Sequence, residues 1–184
     1  MKAFTLIELI IVITILMVVS AVSYAPYNYY QNKAKLKTTA SKISQLLYES
    51  RNKSINWSVW SSGNVSIWVY FDWTNIDNTK VDIYSYPHDI DNTSIWIIES
   101  SDVKKIETFY LDKGVQIDNI DSKNNLLFVF DSISGDVKYY NWNWWVRSLI
   151  TDDKVDINFS YKWSTSINLQ KTISYFTSTN IIDY

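Results

Sequence analysis

The sequence predicts an α+β protein in which one long N-terminal helix packs on an antiparallel, β-rich head. The chain of 184 residues opens with an apolar stretch at residues 4–25 that holds a single charge, Glu8. Residues 26–56 then place apolar side chains every three to four positions, as an amphipathic helix does. From residue 57 onward, apolar and polar residues alternate in short runs, which is typical of strands. We therefore expect an apolar helix at 4–25, its amphipathic continuation at 26–56 and a globular head at 57–184.

The apolar stretch is long enough to cross a bilayer. It contains no Gly, Pro, Lys or Arg, and Pro26 follows it directly. At about 1.5 Å per residue it reaches about 33 Å, against a hydrocarbon core of about 30 Å. We predict a transmembrane helix that is kinked or loosened at Pro26, because a proline ring removes one helical hydrogen bond.

Glu8 is the informative residue of this helix. A carboxylate inside an apolar span costs about 2.5 to 3.5 kcal/mol and therefore normally has a partner. Cleavage after Ala3 would give Phe4 a free α-amino group one helical turn from Glu8. In a bundle of such helices, Glu8 of one subunit would neutralise the Phe4 amine of its neighbour. The sequence therefore predicts an assembly site at these two residues.

Residues 2–9, KAFTLIEL, resemble the class III leader of type IV pilins and type II secretion pseudopilins, whose basic leader usually ends in Gly before FTLIEL. Ala3 stands at that Gly position here. The resemblance implies that residues 1–3 are a leader peptide, that a prepilin peptidase cleaves between Ala3 and Phe4, and that Phe4 is N-methylated. It also implies a lollipop-shaped, pilin-like fold that assembles through Glu8 and the Phe4 amine.

The resemblance also implies a place and a set of partners. The mature helix would cross the bacterial inner membrane once, with the head outside the cytoplasm, and would join a pilus or pseudopilus. Its partners would be other pilin or pseudopilin subunits, the prepilin peptidase and the assembly platform. Residues 43–55, ISQLLYESRNKSI, are similar to the helix end of GspH/FimT-like minor pseudopilins, although Glu49 and Asn52 depart from that pattern.

Two other interpretations of the N-terminus remain open. One is an ordinary secretory signal peptide cleaved after Ala25, and the other is a plain membrane anchor with an incidental Glu8. Pro26 disfavours the first, as does an apolar run longer than the usual 7 to 15 residues or so.

Aromatic and basic residues follow the apolar stretch at the place where a membrane interface would fall. Tyrosines are enriched at such interfaces. The residues are Tyr24, Tyr27, Tyr29 and Tyr30, and then Lys33, Lys35 and Lys37. With the head outside the cytoplasm, these lysines run against the positive-inside count. Further along, Leu36, Ala40, Ile43 and Leu47 are expected to face the head, and Lys37, Ser41, Ser44 and Glu49 to face away from it.

Composition narrows the function of the head. The net charge of −2 disfavours a general nucleic-acid binder, and the absence of Cys excludes thiol catalysis and disulfides. No phosphate loop, HExxH or GxSxG motif occurs.

The individual candidate residues in the head do not indicate a catalytic or metal site. His88 is interpreted as a loop residue. Two groups of Asp and Asn could bind calcium but lack the EF-hand spacing: Asp89, Asp91 and Asn92, and Asp118, Asp121 and Asn124. The adjacent pair Asp152 and Asp153 has no catalytic context. We expect no enzyme activity, no cofactor and no metal.

Glycine is rare and tryptophan is abundant. The chain holds three Gly and nine Trp, and Trp73, Trp142 and Trp163 follow turn-forming residues where Gly is preferred. We hypothesise that the nine Trp codons are UGA codons that the source organism reads as Gly. The alternative is a Trp-rich binding face.

The head is expected to contain eight to ten short antiparallel strands. Turn signals such as Asp131 to Gly135 separate the apolar runs. The runs lie at residues 65–71, 81–84, 94–98, 106–111, 126–130, 137–140, 155–161, 167–169 and 173–176.

These features favour a structural subunit, a minor pilin or pseudopilin, over two alternatives. One alternative is a DNA-uptake minor pilin with a DNA-binding head, and the other is an exported, membrane-anchored binding module. DNA binding needs a basic patch. The basic residues near the C-terminus are instead scattered among acids, which disfavours nucleic acid as a partner. They are Lys138, Arg147, Lys154, Lys162 and Lys171.

Overall fold

The fold is described from a computed structural model. It describes residues 5–60, 65–72, 79–87, 103–120, 125–132, 134–143, 146–161, 169–176 and 181–183.

A single helix, α1, runs over Leu6–Trp60 and continues through Pro26. The four residues predicted to face the head are all buried, and Leu46 joins them. The predicted outer face is wrong at Ser44, which is only 7% exposed. Its hydroxyl donates to the carbonyl of Ala40 at 3.0 Å, so the polar atom is satisfied within the helix and can be buried.

The described residues contain ten strands, and seven of the predicted runs are confirmed as strands. The run at 94–98 lies outside the described residues, as does most of the run at 167–169. Three strands, β4, β7 and β10, were not predicted. The strands are β1 (Ser66–Asp72), β2 (Lys80–Tyr86), β3 (Lys104–Tyr110), β4 (Val115–Ile120), β5 (Asn125–Phe130), β6 (Val137–Asn143), β7 (Val146–Ile150), β8 (Lys154–Tyr161), β9 (Gln170–Phe176) and β10 (Ile181–Asp183).

The strands form two antiparallel sheets, with the orders β3-β2-β1-β5-β6-β7 and β10-β9-β8-β4. The helix contacts β1 and β5 of the larger sheet and β4, β8 and β9 of the smaller one. The main core therefore lies between α1 and both sheets. This arrangement confirms the predicted α+β fold, a pilin-like lollipop with a long helix and a β-rich head.

The central strand β5 is buried along its whole length because both of its faces are covered. Phe128 packs in the main core against Phe71, Tyr139 and Tyr175, with ring centroids 5.0 to 5.6 Å apart. On the opposite face, Leu127 and Val129 form a second cluster with Trp68 and Tyr140.

Polar contacts attach the C-terminal half of α1 to the head. Ser54 donates to the carbonyl of Phe130 at 2.9 Å, and Arg51 donates to the carbonyl of Gly135 at 3.0 Å. Gly135 has a φ of +67°, and a Cβ there would lie 2.6 Å from Ile55 Cδ1. Glycine is therefore required at this turn both by its backbone conformation and by the close approach of α1.

Candidate functional site

The N-terminal half of α1 presents an apolar surface that the head does not cover. Leu6 is 77% exposed and Val22 is 72% exposed. The helix is long and apolar enough to cross a membrane, with a most apolar 18-residue window of mean hydropathy 2.7 and none of that window buried. An apolar surface of this size needs lipid or other protein around it.

Hydroxyl groups within this apolar surface are satisfied by the helix itself. Three of them each donate to the carbonyl four residues before, so these three hydroxyls do not need water. The pairs are Thr14 with Ile10 (2.8 Å), Ser20 with Leu16 (2.7 Å) and Ser23 with Val19 (2.8 Å).

Glu8 caps the start of the helix together with Thr5. One carboxylate oxygen of Glu8, Oε2, accepts hydrogen bonds from the Thr5 amide at 2.9 Å and from the Thr5 hydroxyl at 2.7 Å. The Glu8 amide in turn donates to the Thr5 hydroxyl at 3.4 Å. This reciprocal pattern is a capping box, which satisfies two amides that the first helical turn leaves free.

The capping role of Thr5 was not predicted, although its signal is present. A Thr followed three positions later by Glu, just before an apolar run, marks a capping box. Within the described residues, Glu8 Oε1 accepts no hydrogen bond, so one oxygen of the carboxylate stays available to a further donor.

The processing site itself lies outside the described residues, which begin at Thr5. Cleavage between Ala3 and Phe4, methylation of Phe4 and the pairing of its amine with Glu8 therefore stay predictions. The kink predicted at Pro26 also stays a prediction. Pro26 lies inside α1 and has no N–H, so the carbonyl of Val22 lacks its usual helical donor.

The residues of the head that were considered for calcium binding or catalysis either make local contacts, are exposed, or lie outside the described residues. Asp118 accepts a hydrogen bond from Gln116 at 2.9 Å, and Asp152 and Asp153 are exposed just before β8. The remaining predicted groups, His88, Asp89, Asp91, Asn92, Asp121 and Asn124, lie outside the described residues.

The described basic residues considered for DNA binding are spread over both sheets, with Lys138 on β6 of the larger sheet and Lys154 and Lys171 on β8 and β9 of the smaller one. Lys154 binds Asp156 at 2.8 Å, and Lys138 is exposed on β6. Partial burial alone would raise the pKa of Asp156, but hydrogen bonds from Lys154 and Ser174 outweigh it and hold the pKa below its ordinary value. Lys162 and the side chain of Arg147 lie outside the described part.

Buried phenols in the main core are structural groups. Burial raises the pKa of Tyr175 to about 12 and raises that of Tyr139 further still. Both hydroxyls therefore stay protonated at neutral pH, and neither can act as a base there.

Comparison with known proteins concerns the N-terminus alone. The family model of the prokaryotic N-terminal methylation motif matches residues 1–24. No curated protein and no solved structure matches the chain. The motif supports a pilin-like protein that is a substrate of a prepilin peptidase and assembles with other pilin subunits. Together with the exposed apolar helix, it fits a membrane-anchored pilin.

Proposed function

We propose that this protein is a minor pilin or pseudopilin, a structural subunit of a type IV pilus or a type II secretion pseudopilus. The observation that carries this proposal is the apolar half of α1, which is long enough to span a bilayer and has none of its most apolar window buried. Such a helix is suited first to storage in a membrane and then to packing among identical helices in a fibre. The function is structural rather than enzymatic.

Processing prepares the helix for assembly. The prepilin peptidase removes residues 1–3 by cleaving between Ala3 and Phe4, and Phe4 is then N-methylated. The new α-amino group pairs with Glu8 of a neighbouring subunit. The free oxygen Oε1 of Glu8 supports this step, because the carboxylate can accept that donor without giving up its cap on Thr5.

We infer that the chain crosses the inner membrane once, with the head outside the cytoplasm. Residues 4–25 form the membrane and assembly helix, residues 26–56 its continuation, and residues 57–184 the head. The segment 43–55 lies where α1 packs on the head, and its Arg51 donates to the carbonyl of Gly135 in a turn of the head. The likeness of that segment to GspH/FimT-like proteins favours this minor-pseudopilin group.

Tandem mass spectrometry of the protein from its own cells tests the proposal. The expected first residue is Phe4 carrying an N-methyl group. A first residue at Pro26 would instead indicate a signal peptide, and assembly through α1 would be excluded. Met1 retained in every N-terminal peptide would indicate a permanent membrane anchor, which also contradicts the proposal.

A further inference from the structure

A basic cavity lies where α1 leaves its apolar segment and meets the head. We call it the neck pocket. It has a volume of about 290 Å³, and its lining comes from α1 and from the start of β9. The lining residues are Tyr30, Lys33, Ala34, Leu36, Lys37, Gln170 and Lys171.

Two elements build the pocket from opposite sides. Lys33 and Lys37 are four residues apart on α1 and therefore project from the same face of the helix. Lys171 projects from β9, which packs on α1. Leu36 is buried at 3% exposure and gives the pocket an apolar floor. The pocket thus combines an apolar base with three lysine side chains in its lining.

None of these three lysines has an anionic partner among the described residues. The ion pairs there involve other lysines, such as Lys42 with Asp112 and Lys105 with Asp82. Lys35 lies between Lys33 and Lys37 in the sequence. Its amine makes a cation–π contact within the protein, 5.9 Å from the ring centroid of Tyr161. Three like charges around one cavity repel one another, and a bound anion would relieve that repulsion.

The side of the pocket nearest the bilayer, at Tyr30 and Lys33, lies near the height of lipid headgroups when α1 spans a bilayer. With the hydrocarbon boundary near Ala25, the Cα of Tyr30 is about 8 Å beyond it and that of Lys33 about 12 Å beyond it. The headgroup layer is about 5 to 7 Å thick on each side. Helical side chains point back toward the N-terminus, and a lysine stem extends about 6 Å, so the Lys33 ammonium reaches this layer.

We propose that the neck pocket binds the phosphate headgroup of an anionic phospholipid in the membrane leaflet that faces the head. This inference rests on the proposed function, because that function places α1 in a membrane. The positive-inside tendency disfavours lysines on the outer side of the membrane. Binding of an anionic headgroup would explain why they occur there. A lipid held at the neck would fix the height and the rotation of the head above the membrane before assembly.

Native mass spectrometry of the full chain tests this proposal. The protein is reconstituted in nanodiscs of equimolar phosphatidylglycerol and phosphatidylcholine and is then released, and its bound phospholipids are counted. We expect phosphatidylglycerol to be retained at least about tenfold over phosphatidylcholine, given the usual gain per lysine at an anionic surface. The triple variant Lys33→Gln, Lys37→Gln, Lys171→Gln should retain the two lipids equally.

A matched variant controls for the loss of three charges. Lys53, Lys104 and Lys138 are exposed, and Lys53 lies about 30 Å along α1 from Lys33. The triple variant Lys53→Gln, Lys104→Gln, Lys138→Gln should keep the preference for phosphatidylglycerol. Loss of the preference in this control would show a general charge effect and would overturn the proposal.

Four other results would also overturn it. Equal retention of both lipids by the parent protein would show that no headgroup site exists. A preference that survives in the neck-pocket variant would place the lipid elsewhere. Full displacement of the lipid by inorganic phosphate would assign the pocket to a free anion. A variant that keeps its lipid preference but no longer assembles would assign the lysines to an acidic surface of a neighbouring subunit.

The two proposals fail in different ways. Flotation with vesicles of pure phosphatidylcholine reports insertion of α1 without any anionic lipid. If the full chain does not insert, the proposed function is wrong. If it inserts but shows no headgroup preference, the neck-pocket proposal alone is wrong.

Discussion

At Glu8, one carboxylate has two separable properties, its hydrogen bonds and its charge. The hydrogen bonds close the capping box with Thr5, and the charge is the feature proposed to pair with the Phe4 amine of a neighbour. The need for a partner could be predicted from the sequence, because an ionised group in an apolar helix is costly. The cap was not predicted, because the partner of the charge was sought on other subunits and not in the first turn of the same helix.

Substitution of Glu8 by Gln separates the two properties. Glutamine also closes a capping box, so the helix start is retained while the charge is lost. We expect Glu8→Gln subunits to be processed but not assembled, as measured by the amount of fibre sheared from cells. Thr5→Ala is the matched control, since it keeps the charge and loses a cap worth about 1 kcal/mol.

The Thr5→Ala subunits should assemble. Normal fibres from Glu8→Gln cells would show that the charge is not needed. Loss of fibres in Thr5→Ala cells alone would assign the site to the helix cap.

The nine tryptophans can also be considered residue by residue. Trp68 is fully buried in the second cluster, with its ring centroid 5.1 Å from that of Tyr86, so its packing gives no support to the recoding hypothesis at this position. The hairpin of β6 and β7 does bear on the hypothesis. Asn143 pairs with Val146, which leaves two residues to connect the strands. Two-residue hairpin connections favour Asn-Gly, Asp-Gly or Gly-Gly, and the sequence has Trp-Trp there. The register of the hairpin thus supports the recoding hypothesis at this position.

Peptide sequencing of the native protein shows whether these positions carry Gly or Trp. We expect Gly at positions 73 and 142 and in the β6–β7 connection. The flanking Tyr139 and Arg147 serve as internal references, because their identity does not depend on the reading of UGA. Peptides that carry Trp at position 73 or 142 would exclude the recoding and restore a Trp-rich face as a candidate binding surface.

At the scale of elements, the sequence predicted α1 and the strands that have a regular period. The strand β4 was missed because its apolar residues do not alternate throughout, and its pairing with β8 shifts register between Ile117 and Asn119. The strand β10 has three residues, too few to show a period. Ser44 was misassigned because its polarity suggested the outer face, whereas its hydroxyl is satisfied by the turn before it.

A polar clamp joins α1 to the connection between β3 and β4. Asp112 accepts hydrogen bonds from Lys42 at 2.8 Å and from Thr39 at 3.0 Å. The hydrogen bond from Lys42 holds the pKa of Asp112 below its ordinary value of 3.8, and the bond from Thr39 adds to this effect against partial burial. The clamp therefore stabilises the fold above the unfolded pKa, and this contribution is lost as the pH falls through the lower folded pKa.

Asp112→Asn should lower the free energy of unfolding by about 0.2 to 1 kcal/mol at pH 7, as expected for a partly exposed ion pair. The difference from the parent should vanish at a pH below the folded pKa of Asp112. Thermal unfolding of the full chain in detergent, followed by near-ultraviolet circular dichroism, measures both values.

The exposed Asp183 supplies the control, and Asp183→Asn should match the parent at both pH values. A destabilisation by Asp112→Asn that persists unchanged in acid would show that the clamp acts through packing rather than charge.

At the scale of the molecule, the core and the apolar surface belong to different halves of one helix. The α1 residues of the main core begin at Leu36, with Tyr29 packed at its edge, whereas the residues before Tyr24 that the structure describes are exposed. The head is therefore not expected to depend on the apolar half for its stability.

Removal of residues 1–25 should leave a folded, soluble head. We expect the truncated chain to have the near-ultraviolet circular dichroism of the full chain in detergent and to elute as a monomer. A second truncation that also removes residues 26–40 takes Leu36 and Ala40 from the core and should unfold or aggregate. A head that unfolds after the first truncation would show that the apolar half contributes to its stability.

The structure describes α1 as one helix that continues through Pro26, so the number of residues between Ala25 and Leu36 sets the rotation of the head about the helix axis. Each residue turns an α-helix by about 100° and advances it by about 1.5 Å. One residue inserted between Ala25 and Leu36 would swing the head about a third of a circle around the axis while barely changing its height. Seven inserted residues would raise the head by about 10 Å and return it to within about 20° of its original azimuth. The side that each head turns toward its neighbours is thus set by the number of residues in the neck.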